Sequence, residues 1–549
     1  MLNPRVSKSV KLVLEATQQP FSALPTDLLV YIWSLAIVSV SEWGLWQSVH
    51  RLARTILRQP ALISQLRLTV FKADLATGFG NLAVHVRHLD YPLPHFQLAA
   101  NAFAVGNSRL RSLSALSGLQ SLSCQGVAAC SHASFERLAR LRHLKLSHSV
   151  VRADLLSQFG QLETLSLDTT NVCNSDLQTV AVMLNLSTLE LHHCTAVTDD
   201  GLFYLRGLTC LRVLKLRYLA HVTNVGVSAI APLSWLETLD LTSTRVNDHC
   251  DLSPFVALRR LALAQTNVTG ATLPALPNLR WLDLDGTKAG SAFIKLLPNF
   301  AHLEEVRLRH TLASDADFRA VRLPPSLRAL HIDVSKLTGQ GFAHPAGLHV
   351  LRMGYCGATD SSLRSLSSFP NLVKLDLTAN ASLTSEGLCA LWPLRSLTTL
   401  NLNECLHLAH VAPLSAMASL RNLDFSWCKN LRDARALTSL TDLESLDLSH
   451  TAVDNKGVPA WPELKNLRRL RLTRTLIDDA GLEGLDLVRG LERLDLHRTR
   501  VTDACMPILS AIQSLVSLDV SGTLITTTSL VSHVQSVFHW RVPNFLNAD

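Results

Sequence analysis

An α/β solenoid is the fold this sequence predicts, on three observations. A phrase of one apolar residue, two variable residues, an apolar residue, one variable residue and an apolar residue recurs 18 times between Leu119 and Val520. Each phrase follows the last by 21 to 25 residues, and a small polar residue stands at a fixed offset behind most of them. Repetition at that period marks an array of stacked supersecondary units, each burying its apolar side against its neighbours.

Within a phrase such as Leu162, Leu165 and Leu167, the last two apolar positions are two apart, the period of a strand. Each unit therefore supplies one short parallel strand, apolar inside and polar outside. The roughly 18 residues between strands suffice for a turn and one or two helical turns. Helix starts are readable in Val197-Thr198-Asp199-Asp200-Gly201-Leu202, Leu383-Thr384-Ser385-Glu386-Gly387-Leu388, Ile477-Asp478-Asp479-Ala480-Gly481-Leu482 and Val501-Thr502-Asp503. Their Thr, Ser or Asp side chains are expected to accept the free amides of the helix they open. Strands should line a concave wall and short helices a convex back.

Eight residues after the first leucine stand nine threonines (Thr170, Thr244, Thr266, Thr287, Thr311, Thr451, Thr475, Thr499, Thr523), four cysteines (Cys194, Cys356, Cys405, Cys428), Ser149, Ser335 and Asn380. Where the strand turns inward, buried backbone groups need partners, so these side chains are read as a hydrogen-bonding ladder. The units resemble leucine-rich repeats. Those pairing a ladder cysteine with a Thr-Asp-x-Gly-Leu-like start are similar to the cysteine-containing subclass found behind F-boxes, from which the frequent threonine departs.

In chain order, residues 1–20 read as a flexible tail and 21–69 as a small unit of three short helices. The first helix is capped by Thr26-Asp27, the second opens at Ser41-Glu42, and Pro60 stops or restarts the third. Its apolar positions cover more than one stripe, so a second face must be buried on something else. This unit resembles an F-box through Leu24-Pro25, Asp27-Leu28-Leu29 with Ile32, Leu45-x-x-x-Val49-His50-Arg51 and Gln59-Pro60-x-Leu62-x-x-x-Leu66-x-Leu68. The resemblance implies a substrate receptor of a cullin-type (SCF-like) ubiquitin ligase. Leu24, Pro25, Leu28, Leu29, Ile32 and Val49 would then contact the adaptor, and the repeats would hold a protein substrate. Ala53 and Ile63 stand where the family usually has tryptophans. The competing reading is a stand-alone interaction scaffold whose N-terminus merely caps the solenoid. Residues 70–110 form a transitional, partly repeat-like segment with one ragged strand phrase at Val86, Leu89 and Tyr91. The repeats fill 111–529, and 530–549 should cap the last strand.

If the function is recognition, the readers are the variable residues of the wall. Tyr218, Trp281, Tyr355 and Trp427 are the aromatic candidates. Arg307, Arg309, His331 and Arg352 form a basic middle, beside an acidic flank of Asp376, Asp424 and Asp447. Strand-to-strand pairs such as Asp447 with Arg471 would instead neutralise one another on a solvated face. The formal charge of +7 comes without a Lys/Arg block, which argues against nucleic acid as the partner.

Catalytic signatures are missing. There is no Walker-type loop, no H-E-x-x-H helix and no G-x-S-x-G elbow. Gly286-Thr287-Lys288-Ala289-Gly290-Ser291 is a repeat turn with a misplaced lysine. His192-His193-Cys194 is no metal cluster once the pleat turns Cys194 inward. The expectation is a non-enzyme with no cofactor and no metal. Eleven cysteines without a C-x-x-C pair point to a reducing compartment, with Cys405 and Cys428 placed on adjacent ladder positions. The apolar run Leu28 to Val40 is too short for a membrane span. A cytoplasmic or nuclear protein, monomeric within a complex, is expected. Arg5, Lys8 and Lys11 give the first 14 residues only a faint transit-peptide character.

Overall fold

A computed structural model describes residues 67–69, 88–91, 120–126, 138, 140–342 and 347–526. The chain divides into two units, Met1–Leu258 and Arg259–Asp549.

In the first unit the strands are β1 (Arg67–Thr69), β2 (His88–Tyr91), β3 (Ser121–Gln125), β4 (His143–Ser147), β5 (Thr164–Ser166), β6 (Thr188–Glu190), β7 (Val213–Lys215) and β8 (Thr238–Asp240). Consecutive strands pair in parallel, with Leu144, Leu165, Leu189, Leu214 and Leu239 in one register. The second unit continues with β9 (Arg260–Ala262), β10 (Trp281–Asp283), β11 (Glu305–Arg307), β12 (Ala329–His331), β13 (Val350–Arg352) and β14 (Lys374–Asp376). It ends with β15 (Thr399–Asn401), β16 (Asn422–Asp424), β17 (Ser445–Asp447), β18 (Arg469–Arg471), β19 (Arg493–Asp495) and β20 (Ser517–Asp519). These too pair in parallel, leucine on leucine from Leu351 to Leu518. The 18 predicted phrases are the 18 strands β3 to β20. The central leucines described in both units are buried.

The register starts earlier than the phrases suggest. The helical unit expected over 21–69 lies outside the described residues except for its last three, which form β1. There Leu68 stands opposite Leu89, and Leu89 opposite Leu122. The exit of that unit is thus strand at Leu68, and the ragged phrase is a repeat strand at Leu89 within the transitional segment.

The crossovers depart from the expected helical back. α-Helices such as Asn174–Val180, Asp199–Tyr204 and Asp360–Leu366 form in repeats of 24 or 25 residues. The repeats beginning at Leu236 and Leu258, with 22 and 21 residues, have no helix, while the 21-residue repeat beginning at Leu141 keeps one short turn, Ala153–Leu156. Beyond Asp376 most crossovers are 3-10 segments, such as Glu386–Leu391, Ala412–Ala416 and Arg435–Ser439. No helix among the described residues is long and apolar enough to cross a membrane.

The polar ladder forms, in two dialects. Each threonine hydroxyl donates to the carbonyl of the inner strand residue three before it, as Thr170 does to Leu167 (2.7 Å), Thr311 to Leu308 (2.7 Å) and Thr451 to Leu448 (2.6 Å). Each cysteine thiol reaches back one repeat: Cys194 to the Leu167 carbonyl at 3.0 Å, Cys356 to Ile332 at 3.1 Å and Cys428 to Leu402 at 3.1 Å. Asn380 does both, donating to Met353 and Leu377 carbonyls while accepting the Cys356 and Ala358 amides. Cys405 and Cys428 are free thiols, and burial pushes the Cys405 thiol up to about 12.

The Thr-Asp-x-Gly-Leu starts are inter-repeat latches more than helix caps. Asp199, at the first turn of its helix, accepts the Thr223 amide (2.8 Å) and hydroxyl (2.6 Å) of the next repeat. Asp360 holds Thr384 (3.0 and 2.7 Å) and Asp479 holds Thr502 (2.8 and 2.7 Å) in the same way. Only some starts are also caps: Thr502 and Asp478 accept an amide of their own segment, while Thr198 does not. In the first two of these latches the glycine three residues after the latched threonine lies against the previous latch, while Cys505 stands there after Thr502. A Cβ on Gly226 would strike Asp199 Oδ1, and one on Gly387 would strike Asp360 Oδ1. Its role is close approach, since neither glycine has positive φ.

Two outcomes follow for stability. Leu446→Ala should cost about 2–5 kcal/mol through a buried cavity. Asp447→Ala, which removes a hydrogen bond to the Ser449 amide, should cost only about 1 kcal/mol in urea unfolding. Gly387→Ala should destabilise by roughly 1–3 kcal/mol through overpacking. Combined with Asp360→Ala, which removes the obstructing carboxylate, it should cost at least about 1 kcal/mol less than the two single changes added together. Full additivity would break the latch assignment.

Candidate functional site

The solvent-facing side of the sheet carries three columns, formed by the variable residues before, between and after the last two apolar positions. A fourth column lies at the strand exit, one residue before the ladder, where the backbone is left-handed in every repeat from β3 to β20. Fifteen of these exit residues are not glycine, from His148 (φ 52°) to Arg498 (φ 54°), including the β-branched Thr169 and Val334. Each such backbone costs roughly 1 kcal/mol. It is held because the exit amide donates to the next repeat, as Tyr218 does to the Thr242 carbonyl (2.9 Å), Tyr355 to Thr378 (2.8 Å) and Trp427 to Ser449 (2.8 Å). The side chain is thereby swung out along a rim.

Three of the four predicted aromatics sit in this exit column. Tyr218, Tyr355 and Trp427 are 42, 55 and 39% exposed. In the first unit Tyr218 stacks on His193, with centroids 4.1 Å apart and planes 10° apart. In the second, Trp427 stacks on His450 at 3.7 Å and 9°, with Lys429 near its face, and the Tyr355 hydroxyl donates to Glu404 at 3.1 Å. Trp281 differs. It lies within β10, half-buried between the Arg260 and Arg307 guanidiniums, 4.5 and 5.1 Å from its ring centre. Its faces are already occupied by cations.

The basic middle is largely spent internally. Arg307 pairs with Glu305 at 2.8 Å, and Arg309 with Asp285 at 2.6 Å. Burial pulls the His331 imidazole down to about 4 despite Glu305 at 3.6 Å, so the ring is neutral at pH 7. Of the four, Arg352 alone is exposed and makes no ion pair among the described residues. The acidic flank is committed as well. Asp376, Asp424 and Asp447 each accept the amide two residues on, closing the strand exit, and Asp447 also pairs with Arg471 at 3.3 Å. The predicted neutralisation of Asp447 by Arg471 is therefore present.

In the first unit the His192-His193-Cys194 run separates as the pleat requires. Cys194 enters the ladder, His193 joins the rim stack, and His192 faces outward. His192, Asp168 and Glu190 lie with ligand atoms within 4.8 Å of one another. Glu190, however, already holds Lys215 Nζ at 2.6 Å, which supplies the positive charge a cation would bring. The carboxylate set is balanced within the sheet.

A basic cluster outside the predicted site lies on β18 and β19: Arg469, Arg471, Arg474, Arg493 and Arg498, all exposed. Reading only the central column hides it, because just Arg471 occupies that column. The predicted adaptor contacts Leu24, Pro25, Leu28, Leu29, Ile32 and Val49 lie outside the described residues.

A family model described as Leucine Rich repeat matches residues 439–460. Among solved structures, the fold is similar to that of TLR13 in its ssRNA13 complex, at 15% identity and TM-score 0.49, covering 86% of this chain and 94% of that one. It is also similar to an internalin, InlF, of Listeria monocytogenes, at 17% identity and TM-score 0.35, covering 71% of this chain and 88% of that one. The ectodomain of the Arabidopsis thaliana receptor kinase GASSHO1/SCHENGEN3 matches at 17% identity and TM-score 0.38, covering 88% and 64% respectively. No curated protein matches the sequence.

The two buried titrating groups of the middle oppose one another with pH. Burial places the folded pKa of His331 below the unfolded value of about 6.5. Its contribution is therefore present above pH 6.5 and lost as the pH falls toward 4. Asp283 is pushed up to about 6, chiefly by burial, so it costs stability as the pH rises from about 4 through 6. Between pH 6.5 and 4, His331→Asn should flatten the loss of stability on acidification and Asp283→Asn should steepen it, in denaturant midpoints. An unchanged slope in both would contradict the assignment.

Proposed function

We propose that this leucine-rich repeat protein is a non-catalytic protein-binding receptor that holds its partner on the strand-exit rim and the adjoining sheet face. We propose further that its N-terminal segment docks the adaptor of a cullin-type ubiquitin ligase, making the bound partner a ubiquitination substrate. The observation that carries the binding role is the exposure of Tyr218, Tyr355 and Trp427 at the same repeat position. Large rings held out from a rigid sheet edge gain by being covered, and aromatic anchors of this kind dominate protein interfaces. The charges around them are mostly cancelled within the sheet, which leaves apolar and stacking contacts to do the anchoring.

The ubiquitin-ligase part rests on sequence order: an F-box-like run carrying Leu24, Pro25, Leu28, Leu29, Ile32 and Val49 ahead of a repeat array with ladder cysteines. The full chain should retain recombinant adaptor in a pull-down, and Leu28→Asp with Ile32→Asp should abolish retention. Tyr355→Ala with Trp427→Ala should leave adaptor binding intact while lowering capture of full-length partner at least about 30-fold, the loss expected for a hot spot worth ~2 kcal/mol or more. A wild-type chain that retains no adaptor ends the ligase reading. Partner capture untouched by the aromatic changes ends the receptor reading.

A further inference from the structure

The arginines of β18 and β19 differ from those that stand one residue before the strands. There arginines meet acids of the neighbouring repeat: Arg142 with Glu163 at 2.6 Å, Arg280 with Glu304 at 2.8 Å, Arg421 with Glu444 at 2.7 Å and Arg468 with Glu492 at 3.0 Å. Arg469 instead stands in register with Arg493 on the next strand, like charge against like. At the exit rim Arg474 is followed by Arg498 on the next repeat. None of these four makes an ion pair among the described residues, and all are exposed. Arg471, between them, is shared with Asp447.

We infer that this patch binds a short acidic segment of a partner polypeptide, in extended conformation along β18. Alternate residues of an extended chain stand roughly 6.6 Å apart on one side, the same spacing that separates Arg469 from Arg471 along the strand. Acidic side chains at every second position can therefore meet Arg469 and Arg471 and continue toward Arg474, with Arg493 and Arg498 flanking them on β19. Guanidinium forks engage carboxylates in bidentate pairs, which lysines do not match. The half-buried Asp447 and Asp495 border the row on the neighbouring strands, so the favourable track is one strand wide. That suits a brief acidic run and disfavours a long, uniformly charged polyphosphate chain. The patch adjoins the Trp427 and His450 stack in the same rim column, so a segment anchored there is continuous with the aromatic site. This assignment rests on the receptor reading and names the chemistry of what is received.

The test uses the full chain and a fluorescein-labelled peptide of alternating Glu and Ser, read by fluorescence anisotropy against its Gln-Ser counterpart. The Glu-Ser peptide should bind at least ten-fold more tightly. Arg469→Glu with Arg493→Glu should remove at least ten-fold of that affinity without changing the circular dichroism spectrum. Arg319→Glu with Arg364→Glu, an equal charge change on the crossover helices Asp315–Arg319 and Asp360–Leu366, should alter it less than about two-fold. Equal affinity for the two peptides, equal loss in both double variants, or tighter binding of an oligouridylate RNA would overturn the assignment. Because the patch variants are read on peptide affinity and the aromatic variants on capture of full-length partner, a failure here is separable from a failure of the receptor reading.

Discussion

Each repeat ends its strand by turning a backbone carbonyl away from water, and the array depends on that carbonyl finding a donor. An unanswered buried carbonyl costs about 1–3 kcal/mol, and the deficit would recur at every repeat. Threonine answers it from within, its hydroxyl folding back three residues, as in Thr451 to Leu448. Cysteine answers the neighbour's, because its longer bond to sulfur reaches the previous repeat, as in Cys428 to Leu402. One position thus closes a repeat when it is threonine and ties two together when it is cysteine. Burial raises the pKa of the ladder thiols Cys356 and Cys405, which favours the protonated form that donates these bonds.

The crossover side of the sheet is tied by a different device. An Asp at the first turn of one crossover grips both the amide and hydroxyl of a Thr in the next, and at Asp199 and Asp360 a glycine makes room for it. The coupling runs only between adjacent repeats, so the energetics are those of a one-dimensional stack in which each brick is stable through its neighbours. A substitution in a latch or ladder is felt by two repeats.

Much of this was legible from the residues. Period located 18 of the 20 described strands, alternation told inward leucine from outward polar residue, and the ladder position could be read as structural before any geometry was known. The losses have one physical origin: what an outward side chain does depends on its neighbours in the adjoining columns and on adjacent strands, which chain order does not display. His331 looked cationic until burial was considered. Arg307 and Arg309 looked available until Glu305, one column over, and Asp285, on the neighbouring repeat, claimed them. Trp281 looked like an anchor but is a spacer between two guanidiniums. The Thr-Asp pair looked like a cap because its partner lies some 24 residues away, beyond any local rule. The arginines of β18 and β19 are scattered along the chain and adjacent only once the repeats are stacked.

The left-handed strand exit has a wider consequence. Its backbone is fixed by a main-chain bond to the next repeat, so the same geometry is kept whether the residue is Thr169, His193, Gln265, Ala379, Glu404 or Trp427. A position whose conformational cost is paid by the scaffold, and whose side chain touches no core, can change identity in a single step without disturbing its surroundings. The rim works like movable type: the frame stays locked while individual letters are exchanged, and a chain of this kind can acquire new binding preferences one codon at a time.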